Sequence, residues 1–186
     1  MRSPRDPRPL LVLLVASLFT LHCHASFLGR GAGITTVVVV RHAEKGTDSP
    51  YDPTLTAAGQ RRAEALLSAL DGAGVSAIYS TQFKRTLATA EPLAKHYGLK
   101  VIERPITQAN GTSYAGDLAR DVLAQQRGKT VVIVGHSNTV PDIVWAFGHI
   151  PITPLTDADY DQLFIIEVPG EGPARLFKVR YGEANP

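Results

Sequence analysis

The chain has 186 residues, 44% of them hydrophobic, which is enough for one domain with a real core. Lys and Arg number 19 against 17 Asp and Glu, and part of the basic excess (Arg2, Arg5 and Arg8) sits at the N-terminus. That balance supplies no nucleic-acid surface.

Behind these arginines runs an apolar stretch from Leu10 to Leu21, followed by Cys23 and Ala25. A basic start, a short apolar run and small residues at the end of it predict a secretory signal peptide over residues 1–25, cleaved after Ala25. The run is short for a permanent span, although an uncleaved N-terminal anchor is the alternative. The predicted mature protein has no membrane span and is periplasmic or secreted. Cys23 is the only cysteine. It allows a lipid anchor, with bulky His22 before it as the feature that fits this least, and the remaining domain must be stabilised by packing without a disulfide.

Residues 26–34, with Gly29 and Gly33, read as a linker, and the domain is expected over 35–186. Its first strand carries Val37, Val38, Val39 and Val40 and ends in Arg41-His42. Unbroken β-branched residues suit a strand buried on both faces, as in a parallel sheet covered by helices. Ligands of such sheets gather at the carboxyl ends of the strands, where Arg41 and His42 stand. Residues 46–53, rich in turn formers, predict a loop over that end. Thr56 is a plausible N-cap for a helix through Leu70, with Ala63, Leu66, Leu67 and Leu70 inward and Gly72 and Gly74 as its stop. Val75–Tyr79 reads as a second strand, Phe83–Tyr97 as a helix weakened at Pro92, and Leu99–Glu103 as a short third strand. Residues 104–116 read as a loop and 117–126 as a helix with Leu118, Val122 and Leu123 inward. Thr130–Val134 is another fully apolar strand, ending in Gly135-His136-Ser137-Asn138. A short helix follows over Val140–Phe147, with Pro141 in its first turn and Trp145 grouped with Val144 and Phe147 in the core. Gln162–Val168 and Ala174–Arg180 form an antiparallel hairpin at a sheet edge. The expected fold is α/β, a three-layer α/β/α sandwich with a mostly parallel sheet and a C-terminal antiparallel hairpin.

Three strand ends therefore carry polar groups: Arg41-His42, Ser80 to Arg85, and Gly135-His136-Ser137. If these strands are neighbours, two imidazoles and two guanidiniums converge. Such a cluster donates hydrogen bonds and is cationic, which describes a site for a phosphate-like anion. No Cys/His spacing of a zinc site and no phosphate loop followed by Lys is present, so neither a metal nor a cofactor is expected.

Arg41-His42-Ala43-Glu44 resembles the Arg-His-Gly-Glu signature of the histidine phosphatase superfamily, also called phosphoglycerate mutase-like. Leu55-Thr56-Ala57-Ala58-Gly59 is similar to that family's helix start, Ile78 to Ala90 to its second-arginine block, and Val134 to Asn138 to its second-histidine block, all in family order. The resemblance implies that His42 is a nucleophile forming a phosphohistidine, with Arg41, Arg85 and His136 holding the phosphoryl oxygens. Ser137 and Asn138 are candidate substrate contacts beside a helix N-terminus. The family's usual Glu or Asp proton donor after the third strand has no clear counterpart: residues 105–111 offer the amides of Gln108 and Asn110. Glu44, Glu103 and Asp117 are the nearest carboxyls in sequence.

Together with the leader-like N-terminus, the resemblance implies an exported, metal-independent phosphohydrolase acting on a phosphate ester or phosphoramidate, its partner being a small phosphorylated substrate or a phosphoprotein. Two alternatives stand beside it. A phosphoglycerate mutase-type transferase must hold a bound intermediate while it reorients, usually under a long lid that this chain lacks. A non-catalytic phospholigand-binding protein would account for the missing acid but leave His42 without a purpose.

Overall fold

The computed structural model describes residues 33–185. The signal peptide expected over 1–25, Cys23, and residues 26–32 of the expected linker lie outside the described residues. Ten elements follow in chain order: β1 (Thr35–Arg41), α1 (Ala57–Ala69), β2 (Val75–Ser80), α2 (Lys84–His96), β3 (Val101–Glu103), α3 (Tyr114–Gln125), β4 (Thr130–Gly135), α4 (Val140–Gly148), β5 (Gln162–Val168) and β6 (Arg175–Arg180).

One six-stranded sheet has the order β3-β2-β4-β1-β5-β6. The pairs β1/β4, β2/β4 and β2/β3 are parallel, whereas β5 runs antiparallel to both β1 and β6. Because side chains alternate along a strand, β1 serves both faces. Val37 and Val39 join Val131, Ile133, Leu118, Val122, Ile143 and Phe147 in the core under α3 and α4. Val38 and Val40 join Val132, Val134, Leu66, Ile78 and Leu93 in the core under α1 and α2. The valine run is unbroken because both faces are covered.

The helices stop where their sequences say they should. Thr56 caps α1, its side-chain oxygen accepting the Gly59 N–H at 3.1 Å. Gly72 and Gly74 after α1, and Gly98 after α2, take positive φ. Pro92 is accommodated inside α2. The structure shifts some limits: β3 begins only at Val101, and α3 begins at Tyr114, inside the stretch expected to be loop.

Trp145 is a correction. It is 51% exposed, not core, and its ring meets His149 edge-on with centroids 5.5 Å apart. Val140, Ile143, Val144 and Phe147 are the buried positions of α4. Their i, i+3, i+4, i+7 spacing defines the inward stripe and leaves position 145 outside.

The turn after β1 is clamped by α1. The Glu44 carbonyl accepts the Thr56 N–H at 2.9 Å and the Thr56 hydroxyl at 3.3 Å. A Cβ on Gly59 would lie 2.3 Å from that same carbonyl oxygen, so only glycine permits this approach. Gly59→Ala therefore pushes α1 off the turn and lowers unfolding stability by about 1–3 kcal/mol, the usual cost of overpacking, measurable by urea titration.

Candidate active site

The β1/β4 register pairs Arg41 with Gly135, and the β2/β4 register pairs Ser80 with Val134. The carboxyl ends of β1, β4 and β2 are therefore level and adjacent. This brings Arg41 and His42, His136, and Arg85 at the start of α2 around one pocket of about 300 Å³. Ser137 and Asn138, ahead of α4, also line it.

His42 is 4% exposed. Its Nδ1 lies 2.8 Å from the Ala43 carbonyl. A carbonyl only accepts, so Nδ1 carries the hydrogen and Nε2 keeps a free lone pair. Ala43 is itself fixed, its N–H donating to the Thr89 hydroxyl at 2.9 Å while that hydroxyl donates to the Arg85 carbonyl at 2.7 Å. The Ala43 methyl is buried beside Leu55 and Ala63, so this departure from the signature glycine fills a small apolar hole.

His136 stands 5.4 Å from His42, centroid to centroid, in an edge-on arrangement. Its Nδ1 faces the Arg85 Nη2 at 3.4 Å, and a guanidinium only donates. Nδ1 is therefore the acceptor, and Nε2–H donates to the Thr81 hydroxyl at 2.9 Å. Thr81 passes its own hydrogen to Thr86, 2.8 Å away, which donates to the Phe83 carbonyl at 2.8 Å. Gly135 makes the sharp exit from β4 possible, since a Cβ there would lie 2.9 Å from the Thr139 hydroxyl oxygen.

Arg41 is 2% exposed and gripped from the far side of the pocket. Its Nη1 donates to the Thr156 carbonyl at 2.6 Å, and its Nη2 to Asp157 Oδ1 at 3.2 Å and the Tyr160 hydroxyl at 3.4 Å. Its guanidinium carbon lies 4.1 Å from the centre of the Tyr160 ring. Arg85 donates from Nη1 to the Tyr51 carbonyl at 3.3 Å, has Asp52 at 3.7 Å, and stacks on Phe83 at 4.5 Å. The Nε atoms of both arginines are buried without a hydrogen-bond partner among the described residues. Two orphaned guanidinium donors around one pocket suit an anion.

Both imidazoles are held neutral. Burial is the main cause for His42 and lowers it from 6.5 to about 3, with His136, Arg41 and Arg85 adding repulsion and the Ala43 bond opposing. Burial, then Arg85, Arg41 and Lys45, lower His136 from 6.5 to about 4. Burial also lowers Arg85 from its ordinary value.

The expected proton donors lie elsewhere. Glu44 is turned away into an ion pair with Arg62, whose Nη2 lies 2.6 Å from Oε1 and whose Nε reaches both carboxylate oxygens within 3.0 Å. Arg62 Nη1 also holds the Tyr181 and Glu183 carbonyls at 3.0 Å. Glu103 and Asp117 line a separate pocket with Arg104 and Tyr114. From the stretch over 105–111, Ile106 is the residue that reaches the site wall. The Gln82 amide fixes it by pairing with both the N–H and the carbonyl of Ile106, at 3.0 and 2.8 Å. Gln108 is exposed and does not line the pocket.

Thr81, Lys45, Phe83, Asp157 and Tyr160 were not singled out from sequence. Thr81 sits in a block already recognised by its neighbours. The loop with Asp157 and Tyr160 becomes visible only once β5 is known to pair antiparallel with β1, Leu163 opposite Val40, which sets residues 156–161 beside Arg41. Among the described residues no group of three His, Cys, Asp or Glu side chains is arranged to hold a metal ion, and no helix is long and apolar enough to cross a membrane.

Residues 37–106 match the family model described as histidine phosphatase superfamily, branch 1. No curated protein sequence matches the chain. Solved structures share its fold. Bacillus stearothermophilus YhfR aligns at TM-score 0.62 with 20% identity, over 76% of this chain and 95% of its own. A putative phosphohistidine phosphatase SixA from Nakamurella multipartitia aligns at 0.62 with 22% identity, over 82% and 99%. A mycobacterial glucosyl-3-phosphoglycerate phosphatase in complex with VO3 aligns at 0.62 with 14% identity, over 79% and 99%. The chain thus has the histidine phosphatase fold, and the family match covers the segment that carries Arg41, His42 and Arg85.

Neutral burial of two histidines has a consequence for stability. The unfolded chain takes up protons near pH 6.5, whereas the folded chain resists until about pH 3–4. The unfolded state therefore binds more protons in that window, and stability falls as pH drops through it. Thermal unfolding from pH 7.5 to 4.5 should show a falling midpoint, with a shallower fall in His136→Gln.

Proposed function

We propose that this member of the histidine phosphatase fold is an exported, metal-independent phosphatase that works through a phosphohistidine at His42. The observation that carries this reading is the His42 tautomer: Nδ1–H is committed to the Ala43 carbonyl, so the nitrogen with the lone pair is Nε2, in a pocket otherwise built of anion-binding groups. Binding alone would require donors; a neutral imidazole with a free lone pair is a nucleophile.

In the first step Nε2 attacks phosphorus and the ester or phosphoramidate bond breaks. The negative charge spreads over the phosphoryl oxygens, beside Arg41 and Arg85, which line the pocket. A dianion in the pocket also offsets the repulsion that Arg85, Arg41 and Lys45 exert on His136. Once Arg85 Nη2 leaves His136 for a phosphoryl oxygen, His136 can take a proton on Nδ1 and donate it as a hydrogen bond to the substrate, keeping Nε2–H on Thr81. In the second step water displaces His42 from phosphorus. Arg41, Arg85 and Lys45 give the pocket positive charge enough to serve the phosphoryl group through residues alone. The leader-like sequence of residues 1–25 supports export. A small phosphorylated substrate fits a 300 Å³ pocket.

Rapid-quench kinetics with 4-nitrophenyl phosphate test the reading. A burst of nitrophenol stoichiometric with enzyme is expected, together with an acid-labile phosphoryl group on His42 detected by mass spectrometry. His42→Ala should abolish both and reduce turnover by orders of magnitude, with circular dichroism unchanged. Phosphate binding without burst or turnover in the wild type would instead indicate a phospholigand-binding protein.

A further inference from the structure

The residues around the pocket are cationic, neutral or apolar with one exception: Asp157 is the only carboxyl among the described residues that line it. Every other carboxylate in the neighbourhood is occupied. Glu44 is bound on both oxygens by Arg62. Asp159 is bound by Thr156 through Oδ2 and by Gln162 through Oδ1. Asp52 accepts the Lys84 N–H at the start of α2 and faces Arg85. Asp157 differs in kind. Its side chain is 93% exposed, and its single hydrogen bond among the described residues is Oδ1 to Arg41 Nη2 at 3.2 Å.

We propose that Asp157 is the proton donor to the leaving group, taking from the loop before β5 the part that the stretch after β3, with Ile106 at the pocket wall, does not supply. The inference rests on the phosphatase reading above and adds a catalytic residue to it.

The surrounding loop makes the assignment physically reasonable. Its backbone is fixed: Thr156 N–H and hydroxyl bind Asp159, and Arg41 holds the Thr156 carbonyl. The Asp157 side chain therefore projects from a rigid turn, yet is free to rotate, since one hydrogen bond to Arg41 is all it gives up. An arriving phosphoryl dianion competes for Arg41 Nη2 and displaces that carboxylate. The freed carboxylate, open to solvent, takes from it the proton that the step consumes. Arg41 does not collapse, because Thr156 and the Tyr160 ring still hold it.

The proton count closes over the two steps. The His42 Nε2 lone pair forms the N–P bond while the P–O bond to the leaving alcohol breaks, its electrons going to oxygen. The Asp157 carboxyl gives that oxygen its proton. Water then forms the new P–O bond, the N–P electrons return to Nε2, and the released proton goes back to the Asp157 carboxylate.

The test is a series of phosphate monoesters running from 4-nitrophenyl to simple alkyl, assayed with the full chain and with Asp157→Asn and Asp157→Glu. The exposed position makes all three expected to fold. General acid catalysis is worth about 10²–10⁴-fold, so Asp157→Asn should lose that much kcat/KM on alkyl esters and far less on 4-nitrophenyl phosphate, whose leaving group needs no proton. Asp157→Glu should retain the shallow wild-type dependence. A parallel loss across the series, no loss at all, or tighter inhibition by inorganic phosphate as the only change would overturn the assignment; the last outcome makes Asp157 a mere counter-ion. If wild type turns over no ester and shows no burst, the phosphatase reading fails, and this one with it.

Discussion

The hydrogen bond from His42 Nδ1 to the carbonyl of the next residue is the interaction on which the site depends. It is short-range, and by itself a local turn could make or break it. What makes it permanent is that His42, Ala43 and Glu44 each have a backbone group already engaged. The His42 N–H donates to the Gly135 carbonyl at 2.9 Å, extending the β1/β4 ladder by one residue. The Ala43 N–H is held from α2 through Thr89, and the Glu44 carbonyl from α1 through Thr56. Three elements thus fix three consecutive residues, and the imidazole inherits its tautomer from them. The fold fixes a lone pair.

The charges around that lone pair oppose one another, and burial decides the outcome. Desolvation removes the protonated form of both imidazoles before Arg41 and Arg85 add their repulsion. The arginines cannot shed their charge, so the structure restrains them instead: Arg41 under Tyr160 and the Thr156 carbonyl, Arg85 over Phe83 and beside Asp52. The second buried cation near the turn, Arg62, is matched by Glu44 and by two carbonyls from the C-terminal end. That pairing explains why the carboxylate nearest the nucleophile in sequence is remote from the chemistry. Breaking it from one side would leave an uncompensated buried charge, so it serves the turn and not the reaction.

The strands and the four helices follow closely from residue patterns, because hydrophobic runs, Gly stops and Thr56 are local signals, whereas the order of the strands in the sheet does not. Arg41, His42 and His136 stand at the ends of apolar strands, and Arg85 at the start of the helix after β2, so their convergence needs only that β2, β4 and β1 be neighbours, as they are. What sequence conceals is whatever arrives from the antiparallel side. Asp157 and Tyr160 are 116 and 119 residues from Arg41, and no spacing announces them. Likewise, Glu44 looks like a catalytic neighbour until Arg62, eighteen residues away, is seen to claim it. Trp145 shows a lesser version of the same limit: large apolar residues signal burial only when helical phase agrees.

Attack on phosphorus requires a neutral His42 with its hydrogen on Nδ1. Long-range proton–nitrogen correlation spectra of the uniformly ¹⁵N-labelled protein report tautomer and charge for each imidazole directly, with His42→Ala assigning the signal. The prediction is a single Nδ1–H tautomer at His42, unchanged between pH 8 and 5, protonating only toward about pH 3. An Nε2–H tautomer, or a His42 that titrates near 6.5, would contradict the account, because the nitrogen meant to attack phosphorus would then carry a proton.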